Sequence, residues 1–203
     1  MKIRKEFRVE SAHIVRNCTS HRCSHSIHGH SAGVEVFLEG NSLDNAQMLY
    51  DFGLMKGTVK EFIDSMDHCY ILCNKDSEEF KTFIKENCDR WIELPFNPSA
   101  EMLSIFIHKA IHNIIKCTNM NNGEDKYVNC TGVRYHETTT GWAESSLKDV
   151  RTMWNPDWDS QIEFSEGVVK DWSDDLMNIV FDETVIANPV IVQQIKLDKV
   201  CCQ

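Results

Sequence analysis

The chain has 203 residues, 42% of them hydrophobic and 26% charged, a balance that excludes a disordered chain and leaves room for one buried core with an appendage. A formal net charge of −10 and an isoelectric point near 5.3 argue against a broad surface for nucleic acid or anionic membrane. No apolar run approaches the roughly 18 residues of a membrane span, and MKIRKEFRVE at the N-terminus carries no apolar signal region, so a cytoplasmic protein is expected.

Residues 3–14 alternate, with Phe7, Val9, Ser11 and His13 on one face of an expected strand. A polar connection from Arg16 to Ser26 carries Cys18, His21, Cys23 and His25. The next strand, 27–40, sets His28, His30, Ala32, Val34, Val36 and Leu38 on one face and Glu35 and Glu39 on the other, before Gly40-Asn41-Ser42 breaks it. Helical spacing of Phe52, Met55, Val59, Phe62, Ile63 and Met66 predicts a helix behind Asp51 as N-cap. A shorter, charged and peripheral helix is expected over 77–87. Asn97-Pro98-Ser99-Ala100-Glu101 opens a strong helix that runs to about Lys116. After the polar loop 119–125, residues 127–139 alternate again, with Val133, Tyr135 and Glu137 on one face and a further strand near 127–130. This order predicts an α+β layer, an antiparallel sheet with its helices on one side. Beyond Ser146 the composition changes: Trp154, Trp158 and Trp172, many acids, and an apolar stretch from Val185 to Ile195 read as an extension packed on the core or on a partner subunit.

Two imidazoles at i and i+2 on one strand offer a natural bite for a metal ion. If strands 3–14 and 27–40 pair, His13 joins His28 and His30. Three histidines with one open position is the catalytic form of a zinc site, whereas structural sites fill all four positions with protein ligands. The nine cysteines, at 18, 23, 69, 73, 88, 117, 130, 201 and 202, contain no C-x-x-C pair and are expected as reduced thiols, mostly small core residues. Cys23 is the exception. It lies five positions before His28 in a polar loop, where a nearby cation lowers a thiol's pKa and makes it a usable base; Cys18 is the competing choice. Asp67-His68 can hold one imidazole tautomer and shuttle protons, if the neighbours face each other. Glu137, among apolar residues, needs either a buried cation or the paired N–H edge of a heterocycle.

Phe7…Ser11-Ala12-His13, Cys23…His28-Gly29-His30, Tyr50-Asp51-Phe52, Met66-Asp67-His68, Pro98-Ser99-Ala100-Glu101 and His136-Glu137-Thr138 occur in the order seen in the 6-pyruvoyltetrahydropterin and 6-carboxytetrahydropterin synthase superfamily, which residues 3–146 resemble. The resemblance implies the tunnelling fold, a four-stranded antiparallel sheet with two helices on one face, here with a C-terminal extension (domain 1–146, extension 147–203). It implies homo-oligomers, commonly hexamers of two trimers with active sites at subunit interfaces. His13, His28 and His30 match the zinc ligands and Cys23 the catalytic thiol, with Asp67 and His68 as its proton-relay partners. Glu137 matches the carboxylate that anchors the pterin ring, and Glu101 a position near the substrate.

The implied activity is that of a zinc-dependent lyase acting on 7,8-dihydroneopterin triphosphate. The first choice of product is 6-carboxytetrahydropterin, with release of acetaldehyde and triphosphate on the route to queuosine and other 7-deazaguanines. The five-residue offset of Cys23 from His28 does not choose between this and 6-pyruvoyltetrahydropterin. A reading of another class is a zinc-stabilised binding or assembly module without catalysis, which requires a fourth protein ligand from Cys23 or His25. Arg16, Arg22, Lys56 and Arg134 are the candidates to receive the triphosphate. No nucleic-acid or membrane partner is expected.

Overall fold

A computed structural model describes residues 1–120, 122–123, 127–182 and 186–187. Strand β1 (Lys2–His13) pairs antiparallel with β2 (His28–Glu39) along their full length, from Lys2 opposite Glu39 to His13 opposite His28. The register follows the alternation. Ala32, Val34, Val36 and Leu38 are completely buried on the face they share with Phe7 and Val9. Shifting the pairing by one residue would turn that apolar set to solvent.

In chain order the remaining elements are α1 (His21–His25), α2 (Thr58–Asp64), β3 (Cys69–Cys73), α3 (Glu78–Asn87), β4 (Trp91–Leu94), α4 (Ala100–Cys117), β5 (Thr118–Asn119), β6 (Asn129–His136), β7 (Trp142–Ser146), α5 (Leu147–Met153), β8 (Glu163–Phe164), α6 (Glu166–Val169), α7 (Asp174–Asp182) and β9 (Ile186–Ala187). The main sheet runs β7-β6-β2-β1-β3-β4-β8. Its first four strands form an antiparallel set, of which β1, β2 and β6 are expected and β7 is not. The sheet then continues through β3, parallel to β1, and β4, parallel to β3. The result is a mixed seven-stranded sheet in an α+β fold, not a four-stranded one.

Helices α2 and α4 cover the apolar face. Leu103, Ile107 and Ile111 of α4 are fully buried, each such side chain contributing about 1.5–3 kcal/mol. The helix starts one step later than the sequence suggests. Ser99 is the N-cap, accepting from the Met102 N–H at 3.4 Å, while the Asn97 side chain exchanges two hydrogen bonds with the Arg16 backbone. The helix expected behind Asp51 is divided by Gly57 into a 3-10 turn (Leu54–Lys56) and α2. The Asp51 carboxylate instead accepts from the Gly53 N–H, closing a tight turn. Helix α3 packs on the opposite face of the sheet, where Tyr70, Leu72 and Ile84 form a second small core. No separate strand occupies 127–130; that segment leads into β6, and the missing fourth antiparallel strand is β7.

The extension belongs to the same body. Ser146 and Asp149 form a capping box that starts α5, and Trp154 and Trp158 pack on Phe96 at 5.8 and 5.0 Å between ring centres. Strand β8 pairs with β4 and covers that edge of the sheet. Val168, Trp172, Leu176 and Ile179 enter the main core. Most of the apolar stretch Val185 to Ile195, with Cys201 and Cys202, lies outside the described residues; Ile186 and Ala187 pair with β5.

Candidate active site

The pairing of β1 with β2 brings His13, His28 and His30 together. Their ring centres lie 4.7, 5.2 and 5.1 Å apart, and one ligand nitrogen of each falls within 4.8 Å of the others. Gly29 between the two β2 histidines is constrained by the partner strand, because a Cβ there would stand 3.1 Å from the Ser11 carbonyl oxygen.

The orientations suit a metal. His28 Nδ1 is bonded to the Ser26 carbonyl oxygen at 3.0 Å, and His13 donates to the Pro98 carbonyl. Each bond fixes a tautomer that leaves the other nitrogen an acceptor. Nε2 of His13 and of His30 are buried with no hydrogen-bond partner, an unfavourable state for two polar atoms unless a cation receives them. Burial first, then the neighbouring His28 and His30, lower the His13 pKa to about 4, which keeps the ring neutral as a ligand requires. Among the described residues this is the only group of side chains that meets metal-ligand geometry, and its three nitrogens leave positions open.

Glu137, just past the end of β6, directs Oε1 to 3.6 Å from His13 Nε2 and 3.7 Å from His30 Nε2. Its described ion-pair contacts are these two imidazoles, with no lysine or arginine among them. Cys23 sits half-exposed on α1, and its carbonyl accepts from the Val15 N–H at 3.0 Å, which ties the loop back to the segment just after His13. Cys18 is half-exposed as well, and its thiol donates to the Ser20 carbonyl. His25 is engaged elsewhere, bonded to Ser24 Oγ at 2.8 Å and stacked on His21. Burial pushes Cys69 and Cys130 up to about 12, so both are inert core thiols, as the sequence suggested for most of the cysteines.

Asp67 and His68 do face each other, at 2.9 Å between Oδ2 and Nδ1. Burial raises the Asp67 pKa, but the Glu10 N–H donating to Oδ1 at 2.8 Å and the His68 partner outweigh it, so the carboxyl is held below its usual range. The pair lies beside β1 at Glu10 rather than among the three histidines, and His68 and His30 line one open cleft. Glu101 is exposed on the first turn of α4, three residues after Pro98.

Two of the basic candidates are committed elsewhere. Arg16 pairs with buried Asp76 at 2.6 Å, and Arg134 bridges Glu35 and Glu144 while lying 4.3 Å over the Trp142 ring. Arg22 and Lys56 are exposed. Sequence reasoning missed the carbonyls of Ser26 and Pro98, which orient the imidazoles, because any residue supplies a carbonyl. It also missed Arg90, which holds the turn beneath Asp67; nothing local to Cys88-Asp89-Arg90 signals that role.

The family model for 6-pyruvoyl tetrahydropterin synthase matches residues 2–147. The chain belongs to that family. A 6-carboxy-5,6,7,8-tetrahydropterin synthase of Helicobacter pylori is 40% identical over 190 residues, covering 90% of this chain and 93% of the relative, so the match reaches past Ser146 into the extension. Among solved structures, an uncharacterized protein from Wolinella succinogenes superposes with a TM-score of 0.58 at 20% identity, over 72% of this chain and 98% of that one. A 6-pyruvoyltetrahydropterin synthase of Plasmodium vivax does so with a TM-score of 0.52 at 16% identity, over 71% and 96%. Both likenesses establish the fold. A pterin-type substrate fits the family, and no helix among the described residues is long and apolar enough to cross a membrane.

Proposed function

We propose that the chain is a zinc-dependent lyase. It converts 7,8-dihydroneopterin triphosphate and water into 6-carboxy-5,6,7,8-tetrahydropterin, acetaldehyde and triphosphate, in the cytoplasm, on the route to queuosine or another 7-deazaguanine. One observation carries the choice of product: the 40% identity with the Helicobacter relative of that name, sustained over 93% of its length. Residues 1–146 carry the chemistry, and 147–203 are an extension of that body.

His13, His28 and His30 would hold the zinc, and two buried, unpartnered Nε2 atoms support that assignment. Bound there, zinc would supply Lewis-acid polarisation of the substrate's side-chain oxygens. The Sγ of Cys23 takes a proton from the side-chain carbon, and the exposed ring of His68, held by Asp67, moves a second. Glu137 receives two parallel N–H groups of the pterin ring on its carboxylate, and the lack of a lysine or arginine among its ion-pair partners in the described residues supports this role. Glu101 stands near the substrate. The protein is a homo-oligomer in the arrangement of two trimers, with sites shared between subunits, as the family resemblance implies. The non-catalytic zinc module is disfavoured, since His25 is bonded to Ser24 and neither it nor Cys23 joins the three nitrogens as a fourth ligand.

The test is incubation of the purified protein with 7,8-dihydroneopterin triphosphate and assay of acetaldehyde and the pterin product. Acetaldehyde in step with 6-carboxytetrahydropterin is expected. A pyruvoyl product without acetaldehyde refutes the choice of product, and no turnover of a zinc-loaded protein refutes the enzyme.

A further inference from the structure

The turn from Asp64 to His68 presents the Asp67–His68 pair: the N–H groups of Ser65, Met66 and Asp67 bond to carbonyls of Glu61, Ile63 and Asp64 close by, and its outward-facing carbonyls are held from far away in the sequence. One guanidinium takes three of those carbonyls. Arg90 donates from Nη2 to the carbonyls of Asp64 at 2.8 Å and Ser65 at 3.5 Å, and from Nε to the carbonyl of Asp67 at 2.9 Å. Its remaining nitrogen, Nη1, donates to the Gly167 carbonyl at 2.8 Å and to the Asp171 carboxylate at 2.6 Å. The fork therefore joins three carbonyls of the turn to two acceptors on the extension, a geometry lysine cannot reproduce.

Two further bonds run the same way. Trp172 Nε1 donates to Ser65 Oγ at 2.7 Å, and Ser173 donates from its backbone and its hydroxyl to the Glu61 carboxylate at 3.2 and 2.6 Å. The extension also touches the main chain directly: a Cβ on Gly167 would stand 2.2 Å from the Asp89 carbonyl oxygen, so only glycine permits this approach. Meanwhile His68 has φ of 52°, a left-handed conformation that costs a non-glycine residue on the order of 1 kcal/mol or more and persists where the surroundings over-determine it. Its N–H donates to the Glu10 carbonyl at 2.6 Å. Residues 148–203 lie beyond those the family model matches, so the share of this hold that comes from Gly167, Asp171, Trp172 and Ser173 lies outside the matched residues, whereas Arg90 lies within them.

We propose that Arg90 and the extension, through Gly167, Asp171 and Trp172, are positioning elements for Asp67–His68, fixing the pair against β1 for whichever copy's site it serves. The proposal rests on the reading of that pair as a proton relay. Arg90 also satisfies carbonyls at the end of α2, a purely structural service, and the test must separate the two.

The experiment compares Trp172→Phe and Arg90→Lys, alone and combined with Asp67→Asn, in the zinc-loaded full-length protein. Trp172→Phe removes one hydrogen bond and keeps the ring on Phe164, so it folds even if Arg90→Lys does not. Hydrogen exchange of residues 64–70 is expected to quicken while β1 and β2 stay protected. With dihydroneopterin triphosphate, kcat is expected to fall about tenfold at unchanged KM and zinc content, since small misplacements of a reacting group are costly. In the Asp67→Asn background the same change should cost nothing further. Unaltered exchange over 64–70 overturns the proposal, as does a loss of kcat that adds in full to that of Asp67→Asn. If the parent protein turns over no pterin, the pterin reading alone fails and the exchange result decides the brace.

Discussion

The two halves of the candidate site are assembled in different ways. His13, His28 and His30 stand on two neighbouring strands, and the pairing that buries Ala32 to Leu38 aligns them. Asp67 and His68 stand on a turn held by Glu10, Arg90, Gly167, Asp171 and Trp172, residues scattered over most of the chain. The three-histidine end therefore follows from the fold, because a chain that keeps these histidines and forms the strand pair brings their rings together. The Asp67–His68 end rests in addition on one guanidinium and on the docking of a distant segment. The same protein should tolerate damage to its extension at one end and feel it at the other.

The largest effect expected is that of Cys23→Ala, a drop in turnover of about 10²–10⁴-fold with zinc content and melting temperature unchanged. Loss of metal together with activity would return the site to a structural one. Next, His28→Ala should abolish zinc uptake measured by elemental analysis. Zinc at a hundredfold excess over its Kd should raise the unfolding free energy of the parent by about 2.7 kcal/mol and leave the variant unmoved. Gly167→Ala should cost about 1–3 kcal/mol in urea unfolding, through its clash with Asp89, and leave zinc affinity intact. A loss of zinc there would erase the contrast between the two ends. Lys60→Ala, breaking an exposed pair with Asp64, should change stability by less than about 0.5 kcal/mol, a control for surface charge near the turn.

Much of this was legible in the chain, and the exceptions have physical causes. The i, i+2 histidines and the alternation around them announced β1, β2 and the meeting of the three histidines, because a half-buried strand writes its two faces into every second residue. Strands β3 and β4 went unread. Cys69 to Cys73 is buried at every position, so it carries no alternation, and the same apolar run suits a helix. Helix α4 was read a step early because Asn97 is as good a cap as Ser99 on composition, and only the tertiary partner Arg16 claims it. That Asp67 and His68 are neighbours was plain; that they face each other depends on the left-handed turn at His68, which no local residue type dictates. Arg90 was invisible for the same reason, since each partner of its side chain lies at least 23 residues away.

The opposition of His13 and His28 has a consequence for how the molecule is made. A slip of one residue between β1 and β2 would send Ala32, Val34, Val36 and Leu38 out of the core and carry His28 and His30 away with them. Apolar burial and metal affinity are thus gained in a single event. With the proposed zinc supplied during refolding, a metal-sensitive dye would time the alignment of β1 with β2, and uptake of the ion would serve as a clock for folding.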